Sequence, residues 1–473
     1  MLLLISLLAL RFAQPGAVPP QPGPSPTVLR GHFDHAPVGD TVYVWYASTR
    51  AGFTPAAKTA LSPTGDFQLS LPNLKAGSAS LGYARQRTAL YLQPGDELTV
   101  RLDFPRFVET VRYTGRGEAA NNYLARSLYK FEYGPATPDA PRPTPTPTMT
   151  PAEMRRLADA FRLKQHAFMN TYSRAHLLPA AFARQAVLDI DLQWGRTLLD
   201  YPGYVHSTTK QPAVLPPTYF DFLKALPLQK LDDQLTRENV LRFLSAYGGR
   251  LLPDGPLPSD PAAARRLYDQ ATADFGLTKA RDLAMYQMLT FQPDAALLVA
   301  YPTFKQQNRD SLLGRNMRQL VRRSAVLQPG QPAPIFSLLD ESGKTVSLSD
   351  FKGKVVYLDF WASWCGPCVA EAPAGAEMKR KFVGRDVVFL YVSIDRNPDD
   401  WRKALAKYPL TGPSSVHLID QKVYKGSAGG TYMADAIPSY WLIGRDGRIR
   451  AAHAPRPSEG AATVAALEQA LAQ

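Results

Sequence analysis

Hydrophobic and polar residues alternate along the first part of the chain. Three runs show it: Val42, Val44 and Tyr46; Phe67, Leu69 and Leu71; and Leu98, Val100 and Leu102. A period of two is typical of strands that bury one face. The segments 62–66 and 93–96 have the Pro, Gly and Asp residues of β-turns. We therefore predict a small β-sandwich over residues 25–115.

The pattern changes to a helical period in the middle of the chain. Thr150, Pro151 and Glu153 form a capping box with proline at the first helical position, and Asp260-Pro261 opens a similar helix. Further amphipathic stretches lie at 180–200, 215–247, 278–290 and 303–325. We predict an α-helical region over 116–325, with an extended proline-rich linker at 134–149.

Near the C-terminus, residues 354–361 form a continuous apolar run of the kind shown by buried parallel strands. Residues 369–382 are suited to a helix, which places Cys365 at the turn between the two elements. Pro367 suits the first helical turn because an amide hydrogen there has no helical partner.

Length and terminal composition add two expectations. A chain of 473 residues is too long for one ordinary core, and about three domains are expected. Residues 1–10 form an apolar run that has the length of a signal-peptide core and is too short for a membrane span. We predict a signal peptide at 1–18 and export to the periplasm or cell envelope, although no basic residue precedes the run.

The net charge of +13 is scattered without a basic-aromatic motif, so no nucleic acid partner is expected.

The chain contains only two cysteines, Cys365 and Cys368, separated by Gly366 and Pro367. A disulfide that closes so small a loop stabilises little, so redox exchange is the favoured role. A zinc site would need about four ligands, and His417 and His453 lack ligand spacing, so we expect no metal and no cofactor beyond the disulfide. A peroxidase site would need a threonine upstream of the cysteine, where this chain has a Trp-Ala-Ser-Trp sequence.

Several segments resemble one known family. The Trp-Cys-Gly-Pro-Cys motif at 364–368, together with 330–338, 346–354, 436–443 and 446–449, resembles the TlpA/ResA-like branch of the thioredoxin superfamily. The resemblance implies an α/β thioredoxin-like fold over 326–473. Segments 90–96, 114–117 and 121–124 resemble the β domain that precedes such domains in Bacteroidota envelope proteins.

The resemblance also implies roles for individual residues. Pro438 would be a cis-proline facing the disulfide, and Ile437 would offer its backbone to a docked substrate. Asp359 matches the buried acid that exchanges a proton with the resolving cysteine, and Glu371 matches the acid typical of this branch. The branch usually has a non-acidic residue in place of Asp359, so the division of labour stays open. The alternatives are a structural hydrogen-bonding role for Asp359 and a solvated charge for Glu371. Trp364, with the Gly-Pro dipeptide, is expected to form the local substrate surface.

The predicted activity is reduction of protein disulfides, in which Cys365 attacks and Cys368 resolves the mixed disulfide. By resemblance, the partners are disulfide-bonded protein substrates that include apocytochrome c, and a membrane electron donor of the DsbD/CcdA kind. Two alternatives stay open. The same site can run as an oxidant or isomerase, and the β and helical regions can form an envelope binding or scaffold module with an accessory redox domain.

Overall fold

The structure, a computed structural model, describes residues 26–46, 54–72, 74–84, 86–135, 142–252, 257, 260–422, 428–432 and 436–473. The predicted signal peptide and residues 136–141 of the predicted linker lie outside this described part. The chain divides into two compact units, residues 1–253 and 254–473, so the helices of the middle region belong partly to each. None of the described helices combines the length and the hydropathy that a membrane crossing requires.

The first unit begins with eight strands in two four-stranded sheets. Their orders are β4-β1-β7-β8 and β3-β2-β5-β6. The strands are β1 (Thr27–Asp34), β2 (Thr41–Tyr46), β3 (Thr54–Ala60), β4 (Asp66–Leu71), β5 (Gly77–Tyr83), β6 (Gln86–Leu92), β7 (Glu97–Asp103) and β8 (Arg112–Arg116). Leu29 and Leu98 of one sheet and Val44 and Leu81 of the other belong to one buried core. The predicted strands are confirmed, and the sandwich arrangement stays a prediction.

Helices follow in the first unit. They are α1 (Phe107–Thr110), α2 (Glu118–Leu128), α3 (Pro151–Ala175), α4 (Ala180–Thr209) and α5 (Glu238–Arg250). Two asparagines fasten α2 to the sheets. Asn121 makes two hydrogen bonds with the Tyr91 backbone (2.9 and 2.8 Å), and Asn122 makes two with the Tyr113 backbone (2.9 and 2.7 Å). Because each side chain satisfies both a donor and an acceptor of a strand, the position of α2 is fixed.

The predicted starts of the helices are largely confirmed. Thr150 and Glu153 form the expected capping box at the start of α3. The amphipathic stretch 215–247 is α-helical only in its last part, because three short 3₁₀ turns precede α5. Pro227 stands directly before the second turn, and a proline restricts the residue before it away from helical dihedrals.

The second unit opens with four helices, α6 (Pro261–Phe275), α7 (Lys279–Thr290), α8 (Asp294–Gln307) and α9 (Ser311–Val326). Side chains at the N-caps of three of them accept backbone hydrogen bonds: Asp260 before α6, Thr278 before α7 and Asp310 before α9. Such caps satisfy amides that lack a partner inside the helix.

A seven-stranded mixed sheet follows, in the order β10-β9-β13-β12-β11-β14-β15. The strands are β9 (Ser337–Asp340), β10 (Thr345–Ser347), β11 (Val355–Trp361), β12 (Val387–Ser393), β13 (Ser415–Ile419), β14 (Ser439–Ile443) and β15 (Ile449–Ala452). Every residue of β11 is buried, as the apolar run predicts. It runs parallel to β12 and antiparallel to β14.

The two faces of this sheet have separate cores. The helices beside it are α10 (Gly366–Ala370), α11 (Ala372–Lys381), α12 (Pro398–Lys407), α13 (Ala428–Thr431) and α14 (Ala461–Leu471). Tyr357 and Trp361 of β11 pack with residues of α11, α12 and α14, whereas Val356 and Leu358 pack on the opposite face. The expected α/β architecture of 326–473 is confirmed, and the cysteines lie on the side of the sheet that packs against α11, α12 and α14.

Candidate redox site

A disulfide joins Cys365 and Cys368 at the turn between β11 and α10, with Sγ atoms 2.01 Å apart. Cys365 is the N-cap residue of α10, as predicted. The Cys368 amide donates to the Cys365 Sγ at 3.2 Å and also to the Cys365 carbonyl at 3.0 Å, so the sulfur faces an amide of the first helical turn. This position favours a thiolate in the reduced state because amides and the helix dipole stabilise negative charge there.

The helix after the cysteines is shorter than the sequence predicts. Helix α10 ends at Ala370 and α11 begins at Ala372, whereas one helix over 369–382 was expected. Pro373 in the first turn of α11 explains the break, because it has no amide hydrogen for the Val369 carbonyl and its ring clashes with that carbonyl. The break places Glu371 at the junction of the two helices.

The segment before β14 lies against the disulfide. The Ile437–Pro438 peptide bond is cis, which agrees with the expectation for Pro438. The carbonyl oxygen of Ile437 lies 3.7 Å from the Cys365 Sγ. A backbone acceptor therefore lies beside the Cys365 sulfur, which is the sulfur predicted to attack the substrate.

The disulfide is buried beneath an exposed rim. Cys365 and Cys368 are 5% and 4% exposed, whereas the Trp364 side chain is 68% exposed. Gly366 and Pro367 are also exposed. A large indole held in water beside a buried sulfur offers apolar contact area to an incoming polypeptide.

Asp359 lies in β11 on the same side of the sheet, with 6% of its surface exposed. Its Oδ1 has no hydrogen-bond partner among the described residues. Burial, followed by the negative charge of Glu371, raises the pKa of Asp359 well above 3.8, while the Tyr440 hydroxyl and Lys379 act in the opposite direction. A carboxylate with a raised pKa is a stronger base than an ordinary aspartate, which suits it to accept the proton of a resolving thiol.

Glu371 is also buried, at 9% exposure, which contradicts the alternative in which it is a solvated charge. Its two carboxylate oxygens accept hydrogen bonds from the Ser458 amide (2.9 Å) and the Ser458 hydroxyl (2.8 Å). Both acids expected near the cysteines are therefore buried. They differ in their surroundings, because Glu371 has two hydrogen bonds and Asp359 has an oxygen without one.

Sequence reasoning missed Lys379, a buried lysine of α11 on the same face. Its ammonium donates to the Leu410 carbonyl and lies 5.2 Å from the centre of the Tyr391 ring. Burial lowers the pKa of Lys379 to about 8, against the charge of Asp359, which raises it. The sequence offers no signal for this residue, because a lysine in a Lys-Arg-Lys run is ordinarily solvated.

A second missed residue is Asp395, a 2%-exposed carboxylate just beyond β12. It accepts hydrogen bonds from the Ser363 amide (2.9 Å), the Ser363 hydroxyl (2.7 Å) and the Ser393 hydroxyl (2.7 Å). Asp395 thus holds the backbone two residues before Cys365. The contact follows from the parallel pairing of β11 with β12, which brings the carboxyl ends of both strands together.

Comparisons with known proteins agree with this geometry. The Redoxin family matches residues 328–471. Thiol-disulfide oxidoreductase ResA of Bacillus cereus is 31% identical over 123 residues, which is 26% of this chain and 68% of that protein. Thioredoxin-like protein YneN of Bacillus subtilis is 34% identical over 143 residues, or 30% of this chain and 80% of that protein.

Solved structures from Bacteroides are also similar to part of this chain. The thioredoxin domain of a thiol-disulfide oxidoreductase from Bacteroides vulgatus is 27% identical, with 30% of this chain and 97% of that chain covered and a TM-score of 0.26. A thiol:disulfide interchange protein from Bacteroides sp. is 28% identical, with 31% and 93% covered and a TM-score of 0.28.

Proposed function

Because this chain belongs to the TlpA/ResA-like branch of the thioredoxin family of thiol-disulfide oxidoreductases, we propose that it is exported and acts mainly by reducing protein disulfides. The observation that carries the proposal is the placement of Cys365 at the N-cap of α10, with its sulfur against a helix amide and the Ile437 carbonyl. A nucleophilic sulfur needs stabilisation of its thiolate and access for a substrate disulfide.

The proposed reaction has two exchange steps. The Cys365 thiolate attacks one sulfur of the substrate disulfide, which forms a mixed disulfide and releases a substrate thiolate. The Cys368 thiolate then attacks the Cys365 Sγ, which releases the second substrate thiolate and forms the Cys365–Cys368 disulfide. The substrate gains two electrons and the enzyme loses two, so the pair must be reduced again by a donor.

Asp359 is proposed to take the proton of the Cys368 thiol before the second step. Its buried carboxylate has an oxygen without a partner, whereas both Glu371 oxygens already accept hydrogen bonds from Ser458. Glu371 acts on Asp359 through its charge, since it raises the pKa of Asp359. The exposed Trp364, Gly366 and Pro367 and the Ile437–Pro438 backbone would hold the substrate strand.

Partners and location extend the proposal. We infer periplasmic or envelope location, protein substrates that include apocytochrome c, and a membrane electron donor of the DsbD/CcdA kind. The two four-stranded sheets of the first unit are proposed to form a β-sandwich, because residues from both contribute to one buried core.

The test uses a matched pair of cysteine variants in an insulin-reduction assay. Cys365→Ser removes the attacking sulfur and should abolish activity. Cys368→Ser keeps that sulfur but cannot resolve, so it should accumulate a mixed disulfide with the substrate that is visible on a non-reducing gel. Retained activity in Cys365→Ser would overturn the mechanism.

The direction of electron flow is tested by the reduction potential of the pair in glutathione buffers. A value near about −270 mV, as in thioredoxin, supports a reductant, and a value near about −120 mV, as in DsbA, identifies an oxidant.

A further inference from the structure

The second unit has a cavity of about 310 Å³ between α8 and α9, far along the chain from the cysteines. We call it the α8–α9 pocket. Four cationic residues line it, Lys305, Arg309, Arg315 and Arg318, against one carboxylate, Asp310. All four cations are exposed. Within the described part of the chain, no salt bridge pairs any of them with a carboxylate.

The loop that carries Arg309 is held from beneath by a buried ion pair. Arg281 and Asp282 are both fully buried and 2.6 Å apart. Arg281 donates to the Gln307 carbonyl at 2.7 Å, and Asp282 accepts from the Arg309 amide at 2.7 Å. Burying two charges costs desolvation that an apolar pair would avoid, so this pair is poorly explained as a source of stability. It does fix the backbone at the edge of the pocket.

The N-terminus of α9 does not itself offer free amides to a ligand, because its N-cap residue occupies them. Oδ1 of Asp310 already accepts hydrogen bonds from the amides of Leu312 (2.9 Å) and Leu313 (3.1 Å). The positive side chains are therefore what the pocket offers to a ligand. Tyr301 and Phe304 add aromatic surface to its lining.

We propose that the α8–α9 pocket binds an anion that bears phosphate groups. Arginine forks match phosphate oxygens in bidentate fashion, and three of the four cations are arginines. Four positive charges against one negative charge match a ligand with several negative charges better than a single carboxylate. The volume is at the lower end of small-ligand clefts, which suits a small phosphorylated group. This inference does not depend on the proposed redox function.

The test is calorimetric titration of the full chain with inorganic pyrophosphate. We expect saturable binding at one site, weakened by at least about tenfold in Arg315→Gln/Arg318→Gln because two charge-assisted contacts are lost. The matched control is Arg322→Gln, since Arg322 is exposed on the same helix but does not line the pocket. Its affinity should stay within about twofold of the unmodified protein. Circular dichroism and insulin reduction should be equal in all three proteins.

Two sources of the phosphate group are separated by a flotation assay with vesicles of equal parts phosphatidylcholine and phosphatidylglycerol. Vesicle binding that is lost in Arg315→Gln/Arg318→Gln and kept in Arg322→Gln assigns a lipid headgroup. Pyrophosphate binding without vesicle binding assigns a soluble phosphate ester. The proposal is wrong if neither probe binds, or if Arg322→Gln weakens binding as much as the double variant.

Discussion

At the scale of single residues, the side of the redox sheet that carries the cysteines contains three buried ionisable side chains. Asp359, Glu371 and Lys379 are all buried on one side of the sheet. Burial raises the pKa of Asp359 and lowers the pKa of Lys379 to about 8, so both groups are pushed toward their neutral forms. Each charge in turn favours ionisation of the other. The ionisation of the two groups is therefore coupled on the side of the sheet that carries the cysteines.

Asp359→Asn should reveal the raised pKa as a pH-dependent gain in stability. The folded state holds the Asp359 proton to higher pH than the unfolded state, so the unmodified protein loses stability as pH rises above about 4. The variant has no such proton. Its advantage in free energy of unfolding should therefore grow between pH 4 and pH 8.

The measurement is urea unfolding of the oxidised proteins at both pH values. Exposed Asp400→Asn serves as the control and should change the free energy of unfolding by less than about 0.5 kcal/mol at either pH. An advantage of Asp359→Asn that is constant with pH would contradict the assignment.

His417 should make the protein sensitive to acid. Its ring stacks on Tyr391 at 4.9 Å, and neither nitrogen has a partner among the described residues. Burial, aided by Lys379, lowers the pKa of His417 to about 4. The unfolded state therefore binds more protons between about pH 4 and 6.5, and stability falls as pH falls through that window.

His417→Phe keeps the stacked ring and removes the titration. Relative to this variant, the unmodified protein should lose about 3 kcal/mol as pH falls from 6.5 to 4, measured by denaturant unfolding. His453→Asn is the control, because His453 is exposed and asparagine tolerates its positive φ of 55°. Equal acid sensitivity in His417→Phe would rule out this source.

At the scale of elements, the strand-turn-helix that carries the cysteines is fixed from the neighbouring strand. Asp395 beyond β12 accepts two hydrogen bonds from Ser363 in the turn after β11. Cys365 stands two residues later at the N-cap of α10. The direction of the Cys365 sulfur therefore depends on a residue from another element.

Asp395→Ala should weaken both the fold and the reactivity of Cys365. It leaves the partly buried donors of Ser363 and the buried hydroxyl of Ser393 without an acceptor, which costs about 1–3 kcal/mol in the free energy of unfolding. Iodoacetamide should alkylate reduced Cys365 more slowly, because the sulfur is less well aligned with the helix amides. Exposed Asp399→Asn is the control for both measurements. An unchanged alkylation rate would show that Asp395 contributes to stability and not to the reactivity of Cys365.

Sequence patterns predicted the elements of the site better than the contacts between them. The apolar run located β11, and the Cys-Gly-Pro-Cys sequence located the start of α10. The contact between Asp395 and Ser363 spans 32 residues and depends on strand pairing, which no local pattern contains. The sequence did not predict the burial of Lys379 for the same reason, because the Leu410 carbonyl that accepts its hydrogen bond lies 31 residues further along the chain.

At the scale of the whole molecule, the chain consists of two compact units that meet in sequence at residues 253 and 254. The redox sheet therefore shares its unit with α6–α9, which the sequence placed in a separate helical region. Arg323 of α9 donates to the Gly430 carbonyl, and Leu327 is buried in the core of the sheet. The boundary predicted between residues 325 and 326 from the helical pattern and the family resemblance separates Arg323 from its Gly430 partner.

Fragments 254–473 and 326–473 should both reduce insulin, with rates within about threefold of the full chain, because each contains the sheet with both its cores. The shorter fragment should unfold with about 1 kcal/mol less free energy, since it lacks the Arg323 hydrogen bond. Insulin turbidity and urea unfolding measure the two effects. If 326–473 folds but is inactive, the preceding helices take part in the reaction.

Because the chain has no cysteine outside the redox pair, its redox state can be measured on the intact protein. A reagent that alkylates thiols can attach only at Cys365 and Cys368, because the chain has no other cysteine, and it attaches to neither while the disulfide is intact. Rapid acid quenching of cells followed by alkylation would add two labels to each reduced chain and none to each oxidised chain. The mass of the intact protein then gives the oxidised fraction inside living cells directly, without peptide mapping or a fluorescent fusion.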